Sequence, residues 1–245
     1  MSYKILKYIN YPIFIIGTGR SGTHWLAQTL ASHPFIYANI EKQPMFGLST
    51  YMALNPGFER TFYNRLIKCY NQNLIKCAPK LYLDKSHPNI WIAEKLKETF
   101  PSSLFIGIER NPYATIASML RHKGVCSWFY KWNEFPVPNR FLGITKSLSN
   151  KYENMPLVAK CALRWLAHHN RMNELKQILN ENIFILSYEV FAKNPENIVS
   201  NLQNFLKLEQ PIPIPYVDEF SLNKWTKQLS CEDINIIDNI LSYKF

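Results

Sequence analysis

The sequence of 245 residues has no C-x-x-C pair, no block of consecutive basic residues and no long apolar run. Its five cysteines lie far apart, so neither a zinc site nor a dithiol redox pair is indicated, and free thiols in a reducing compartment are the simpler interpretation. No metal-ligand spacing is present. No apolar segment approaches the roughly 20 residues of a membrane-spanning helix, and the amino-terminal segment lacks the arrangement of a signal peptide. We therefore expect a cytoplasmic protein without a membrane span.

Disorder is also excluded, because 47% of the residues are hydrophobic and 14% are aromatic. The net charge of +10 favours an anionic partner, such as a nucleotide, a nucleic acid, a sulfated glycan or an acidic membrane. A basic surface that only keeps the protein in solution explains the charge equally well. The aromatic residues are not interleaved with lysine and arginine, and no RNA-module signature occurs, so nucleic acid is not the expected partner.

Short apolar runs alternate with helical patterns along the chain. The candidate strands are residues 13–16, 35–40, 81–83, 104–108 and 183–186. The candidate helices are residues 25–31, 89–100, 112–121, 157–179, 195–206 and 232–241. This alternation predicts a single α/β domain over residues 1–245, a P-loop-type three-layer fold with a mostly parallel central sheet flanked by helices. Such sheets bind ligands at the carboxyl ends of their strands.

A glycine-rich loop, GTGRSGT at residues 17–23, lies between the first predicted strand and the first predicted helix. Its glycines permit a tight turn, and its N–H groups together with the helix start can hold an anion. Gly17 and Gly22 keep the spacing of the G-x-x-x-x-G-K-[ST] loop, but Thr23 and His24 stand where Lys and Ser/Thr belong. A triphosphate with Mg²⁺ needs those two residues. The loop therefore favours a less charged group, such as a phosphate that carries a sulfuryl group.

A second anion site is predicted at residues 110–118, RNPYATIAS, which follow a strand and open a helix. Arg110 at the strand end and Ser118 two turns into the helix can both face one phosphate. A charge-assisted hydrogen bond of this kind contributes about 1.5–3 kcal/mol. Two phosphate sites in this order are far more specific than either site alone.

These two segments resemble the sulfotransferases that use 3′-phosphoadenylyl sulfate (PAPS). Residues 12–26 resemble the family's 5′-phosphosulfate loop, and the G-x-x-R-S-G-T pattern is closer to the tyrosylprotein and bacterial branches than to the cytosolic steroid and phenol branch. Residues 110–118 resemble the 3′-phosphate motif, in which a Ser follows an Arg by eight positions. Residues 185–191 and the Lys224-Trp225 pair extend the resemblance over most of the chain.

The resemblance implies PAPS as the cofactor, adenosine 3′,5′-bisphosphate (PAP) as its product, and a hydroxyl or amine acceptor on a small molecule or lipid. The cofactor-binding residues that it implies are Gly19, Arg20, Ser21, Gly22, Thr23, His24, Arg110, Ser118, Tyr188 and Lys224. The tyrosylprotein branch has a further Arg one turn after the Ser, where this sequence has His122 preceded by Arg121.

Three residues are catalytic candidates by the same resemblance. Lys85 corresponds to a lysine that both branches use to assist the leaving group. Glu41 lies near the catalytic Glu of the tyrosylprotein branch, whereas His87, in Lys-Ser-His-Pro, resembles the base of the cytosolic Lys-Thr-His motif. A positioned general base contributes about 10²–10⁴-fold to the rate. The loop favours Glu41 as the base, with His87 as the alternative.

Two other function classes stay open at this point, a P-loop small-molecule kinase and a non-catalytic protein that binds polyanions or nucleotides. The missing loop lysine and the lack of a Mg²⁺-binding carboxylate after a strand argue against the kinase. Residues 128–155 are not explained by the resemblance. Their aromatic part, from Trp128 to Pro138, is interpreted either as a wall of the acceptor pocket or as a packed surface segment.

Overall fold

The computed structural model describes residues 11–218 and 221–242. Five strands form one sheet, and their bounds are β1 (Pro12–Gly17), β2 (Ile36–Ile40), β3 (Leu81–Lys85), β4 (Leu104–Glu109) and β5 (Ile183–Ser187). The strand order is β2-β3-β1-β4-β5, and each neighbouring pair is parallel. The predicted α/β fold with a mostly parallel sheet is confirmed, and in the described part of the chain the sheet is parallel throughout.

Helices connect the strands and cover both faces of the sheet. Their bounds are α1 (Thr23–Ala31), α2 (Met45–Leu54), α3 (Glu59–Cys77), α4 (Ala93–Thr99), α5 (Pro112–Leu120), α6 (Lys123–Tyr130), α7 (Ser149–Tyr152), α8 (Leu157–Leu179), α9 (Tyr188–Lys193), α10 (Pro195–Leu206) and α11 (Cys231–Leu241). None of the helices within the described residues is long and apolar enough to cross a bilayer.

The central strand β1 is buried along its whole length, because its two faces pack against different layers of helices. Ile13 and Ile15 belong to a core that includes side chains of α1 and α10. Phe14 and Ile16 belong to the opposite core, which includes side chains of α3, α4 and α8. This alternation follows from the two-residue period of a strand. Burial of such side chains contributes about 1.5–3 kcal/mol each, and it fixes the end of β1 where the glycine loop begins.

The segment that the sequence left unexplained, residues 128–155, packs into a third core beside the sheet. Phe129, Phe141 and Tyr152 are fully buried there against α5, α8 and α11. The segment is therefore an integral part of the fold that lies along one side of the cavity described below.

The helix predictions differ from the structure in two ways: one predicted helix is shorter than expected, and α2, α3, α6 and α7 were not predicted. The expected helix at 89–100 is a 3-10 turn over His87–Trp91 followed by the shorter α4, Ala93–Thr99. Helix α2 is apolar on all sides and so lacks the 3.6-residue pattern that marks an amphipathic helix. The expected single domain over 1–245 stays a prediction.

Candidate active site

A cavity of about 510 Å³ opens at the carboxyl ends of the strands, where the fold predicts a ligand site. The predicted site residues that line it are Gly19, Arg20, Gly22, Thr23, His24, Glu41, Lys85, His87, Arg110, Ser118 and Tyr188. Ser21 and Lys224 are the two predicted site residues that do not line this cavity.

The glycine loop turns sharply between β1 and α1. Gly22 has φ +97°, and a Cβ there would lie 2.4 Å from the Tyr188 ring, so only glycine fits this position without strain. Arg20 has φ +80°, also in the left-handed region. The first main-chain bond of α1 runs from Leu26 N–H to Gly22 C=O. The preceding N–H groups of the first turn have no acceptor within the helix, and with the helix dipole they favour an anion at this end of the cavity.

Ser21 is placed differently from the sequence expectation. Its side chain is buried, its hydroxyl donates to the Thr18 carbonyl at 2.6 Å, and its N–H donates to the same carbonyl at 3.1 Å. Both donors of Ser21 therefore close the loop on itself. This placement supports a loop-shaping role and does not support the expectation that the Ser21 side chain holds a phosphate.

The second predicted anion site adjoins the first. Arg20 Nε donates to Ser118 Oγ at 3.1 Å, so the loop contacts the helix that carries Ser118. The Arg110 guanidinium lies over the Tyr188 ring at 4.3 Å and donates to the Ser221 carbonyl at 3.0 Å. Burial lowers the pKa of Arg110. Its Nε is buried without a hydrogen-bond partner in the described part of the chain, and an anionic ligand would satisfy such a donor.

A smaller cavity of about 250 Å³ continues beyond Arg110 and Ser118. Lys224 and Arg121 line this extension, and His122 lines both cavities. Lys224 forms an ion pair with Asp218 at 2.9 Å. Lys224 therefore lies in the extension of the site, beside the predicted 3′-phosphate contacts Arg110 and Ser118.

The three catalytic candidates are in mutual contact. The Lys85 ammonium contacts Glu41 Oε1, and His87 Nδ1 lies 3.4 Å from the same oxygen. Burial opposes ionisation of Glu41, but the contacts with His87 and Lys85 outweigh it and hold the pKa of its carboxyl at about 2. Burial also lowers the pKa of Lys85, and it lowers the pKa of His87 to about 4. At neutral pH His87 is therefore neutral and Glu41 is a carboxylate.

His87 directs its second ring nitrogen towards the glycine loop. A Cβ on Gly19 would lie 3.1 Å from His87 Nε2, so this glycine allows the close approach. Nε2 has no hydrogen-bond partner within residues 11–218 and 221–242. Because Nδ1 faces the Glu41 carboxylate, it carries the ring proton, and the Nε2 lone pair is left to accept a proton.

The remaining cavity wall is aromatic. The Phe46 ring lies 5.6 Å from the His87 ring, and Trp128 is held against Phe141 and the Arg164 guanidinium. Trp128 lies in the aromatic segment that the sequence marked as a possible acceptor wall, and the structure places it in the cavity. Phe46 was missed because α2 was not predicted.

The fold is a parallel α/β sheet, and both predicted anion sites lie at the carboxyl edge of that sheet. A profile of the sulfotransferase family matches residues 12–211. The chain belongs to the sulfotransferase family. No curated protein is significantly similar to it in sequence.

Solved sulfotransferase structures share the fold. The sulfotransferase domain from the curacin biosynthetic pathway is 19% identical, with a TM-score of 0.59 over 95% of this chain and 98% of that domain. The sulfotransferase domain from the Synechococcus PCC 7002 olefin synthase is 17% identical, with a TM-score of 0.57 over 96% and 95%. A mouse sulfotransferase, SULT7A1, complexed with PAP, is 16% identical, with a TM-score of 0.55 over 94% and 82%.

Proposed function

We propose that the protein transfers the sulfuryl group of PAPS to a hydroxyl or amine on a small-molecule or lipid acceptor. The observation that carries this proposal is that one cavity joins three features. These are the glycine loop, the Arg110–Ser118 anion site and the Glu41–Lys85–His87 cluster. A doubly phosphorylated nucleotide needs two anion sites. Transfer of a sulfuryl group also needs a base that takes the acceptor's proton and a cation near the leaving phosphate. The PAP bound to the mouse relative is consistent with this assignment.

The residues of the cavity fit PAPS. Gly19 and Gly22 line the cavity on the side of the loop, and the helix start supplies N–H donors for a 5′-phosphosulfate there. Arg110 and Ser118 would hold the 3′-phosphate, and the unpartnered Nε of Arg110 has a donor to spare for it. Arg20, Lys85 and Arg110 supply positive charge, against the single acidic lining residue Glu41. When bound, PAPS supplies the sulfuryl group and leaves as PAP.

Lys85 has the position of the electrostatic stabiliser. It is almost fully buried, so its charge is weakly screened, and it lines the same cavity as the loop residues Gly19 and Arg20. In the ligand-free structure its ammonium is paired with Glu41. A phosphosulfate at the loop would compete with Glu41 for this ammonium, which brings positive charge to the leaving group.

The geometry favours His87 over Glu41 as the base, in contrast to the preference drawn from sequence. The Glu41 carboxyl, with a pKa of about 2, is a weak proton acceptor while it is paired with Lys85. His87 has the higher pKa, about 4, and its free Nε2 faces the loop. Glu41 then orients the imidazole through Nδ1, as a carboxylate orients a catalytic histidine. Glu41 as the base, released by Lys85 on cofactor binding, is the alternative.

Product formation tests the proposal directly. Protein incubated with sulfur-labelled PAPS and a metabolite extract should give labelled sulfated products, and Lys85→Met should abolish them. His87→Gln should lower turnover by about 10²–10⁴-fold with little change in PAP affinity, whereas Glu41→Gln, which keeps a hydrogen-bond acceptor, should cost less. The reverse order would make Glu41 the base. His169→Gln, which removes an imidazole outside this cavity, is the control and should keep full turnover.

Nucleotide preference separates the proposal from the two other function classes. PAP at 100 times its dissociation constant should stabilise the fold by about 2.7 kcal/mol in a thermal-shift experiment. Greater stabilisation by ATP with Mg²⁺ would favour a kinase. Steeply salt-dependent DNA binding without any response to PAP would favour a non-catalytic polyanion-binding protein.

A further inference from the structure

Asp84 is a fully buried carboxylate immediately before Lys85 on β3, and it does not line the cavity. Its Oδ2 accepts a hydrogen bond from Asn39 Nδ2 at 2.6 Å. Its Oδ1 accepts one from the Tyr70 hydroxyl and one from Asn89 Nδ2, both at 3.1 Å. Each of these three partners is therefore oriented as a donor towards one acidic side chain.

The network extends beyond these three bonds. Asn39 Nδ2 also lies 3.2 Å from the Tyr82 hydroxyl, and Asn89 Nδ2 lies 2.8 Å from the Tyr70 hydroxyl. Ser49 on α2 donates to Asn89 Oδ1 at 2.8 Å. The network thus joins β2, β3, α2, α3 and the turn after β3, all through buried groups.

The members of the network are neighbours in sequence of the residues in the catalytic cluster. Asn39 precedes Glu41 by two residues, Asp84 precedes Lys85 directly, and Asn89 follows His87 by two residues. The Glu41 N–H also donates to the Lys85 carbonyl at 3.0 Å, which holds the two segments side by side. One carboxylate therefore links the three chain segments that bring Glu41, Lys85 and His87 into contact.

The stability of the fold does not explain a charge at this position. Burial raises the pKa of Asp84 to about 6 in spite of the hydrogen bonds that it accepts. Well-packed apolar side chains are often as stabilising as buried charges or more so. The carboxylate costs stability and also holds the catalytic segments together, which indicates a functional reason for it.

We propose that Asp84 is a positioning residue that fixes Glu41, Lys85 and His87 relative to one another through its hydrogen bonds to Asn39, Tyr70 and Asn89. The proposal rests on the proposed function, because it assigns Asp84 to the sulfuryl-transfer site. It predicts that loss of the carboxylate changes the surroundings of His87 while the Arg110 anion site stays intact.

The hydrogen bond between Asn39 and Asp84 allows a rescue experiment with a double variant. In Asp84→Asn, the network loses its carboxylate and one acceptor oxygen, and the new amide N–H is accepted only if the Asn39 side chain turns its unpartnered Oδ1 towards it. The double variant Asn39→Asp/Asp84→Asn exchanges the donor and the acceptor. The asparagine oxygen at 84 still accepts from Tyr70 and Asn89, while its N–H donates to the new carboxylate at 39. The double variant should therefore recover what each single variant loses.

The readout is the pKa of His87, measured by NMR of histidine-labelled protein and assigned with His87→Gln. The charged and titratable groups that influence His87 are Glu41, Lys85, Arg164 and His168. The wild-type pKa of about 4 should rise by about one unit or more in Asp84→Asn, as the cluster loosens and admits water. Tyr70→Phe, which removes the hydroxyl bonded to Asp84 and Asn89 but keeps the carboxylate, should give a smaller rise, and the double variant should return to the wild-type value.

Leu83→Ala is the matched control, because Leu83 lies on the same strand but packs into the opposite core. It should lower stability without moving the His87 pKa. An unchanged pKa in both Asp84→Asn and Tyr70→Phe, or an equal shift in Leu83→Ala, would overturn the positioning role. If Asp84→Asn does not fold, Tyr70→Phe decides alone, and an unchanged pKa there overturns the proposal.

Failure of the proposed function would be seen separately. The NMR readout needs neither PAPS nor an acceptor, whereas PAP binding and labelled product formation test sulfuryl transfer. In Asp84→Asn, the ratio of PAP affinity to AMP affinity should change by less than about threefold, because Arg110 and Ser118, the predicted 3′-phosphate contacts, lie outside the network. Wild-type protein that fails to bind PAP would refute sulfuryl transfer, whatever the result for His87.

Discussion

Replacement of Arg110 by alanine should weaken binding of one phosphate and leave the other untouched. The guanidinium lies over Tyr188, contacts the Ser221 carbonyl and keeps a buried Nε without a partner among the described residues. If this donor faces the 3′-phosphate of PAP, the variant loses an interaction that AMP, which lacks this phosphate, never makes.

The size of the effect follows from the type of bond. One charge-assisted hydrogen bond contributes about 1.5–3 kcal/mol, which corresponds to about 12- to 160-fold in the dissociation constant. Arg110→Ala should therefore weaken PAP binding by this factor and change AMP binding much less. Because the same variant is compared with two ligands, any disturbance of the Ser221 or Tyr188 contacts affects both and cancels.

The dissociation constants of PAP and of AMP for the wild type and for Arg110→Ala are measured by isothermal titration calorimetry. Arg140→Ala is the control, because it removes the same charge from an exposed site that does not line the cavity. An equal loss of affinity for PAP and AMP in Arg110→Ala would refute the assignment of Arg110 to the 3′-phosphate.

Two further predictions concern the loop and the buried acid. Gly22→Ala should lower the melting temperature and weaken PAP binding, because its Cβ would lie 2.4 Å from Tyr188 at a strained φ of +97°. Gly57→Ala, where the added methyl meets no atom within 4 Å, should do neither in the same assays. The raised pKa of Asp84, about 6 against an ordinary 3.8, means that the folded state binds this proton more tightly. The free energy of unfolding of the wild type relative to Asp84→Asn should therefore fall by about 2 kcal/mol as the pH rises from 4 to 6.5 in urea titrations. A rise over this range would contradict the assigned environment.

The sequence carries enough local information to predict most of the fold and the two anion sites. The glycine loop and the segment 110–118 are contiguous, so their residue types and spacing suffice to place them at strand ends. Helices α8 and α10 begin and end as predicted, because their apolar periodicity is regular. The role of Ser21 could not be predicted, since the direction of its hydroxyl depends on the turn that Thr18 closes.

Contacts between distant segments are where prediction from the sequence stops. The contact of Lys85 with Glu41 joins residues 44 positions apart. The network around Asp84 joins five elements, one of which, α2, lacks the apolar periodicity of an amphipathic helix. Nothing in the order of residues reveals that the carboxylate beside Lys85 is buried and surrounded by donors. These contacts form only because the parallel sheet brings β2 and β3 together.

The most direct test of the central claim is a crystal structure of the protein with PAP. In this structure the 5′-phosphate should lie within hydrogen-bond distance of the N–H groups at the start of α1, and the 3′-phosphate should contact Arg110 and Ser118. A nucleotide bound elsewhere, or with its 3′-phosphate directed away from Arg110, would contradict the claim that one cavity holds both ends of the cofactor.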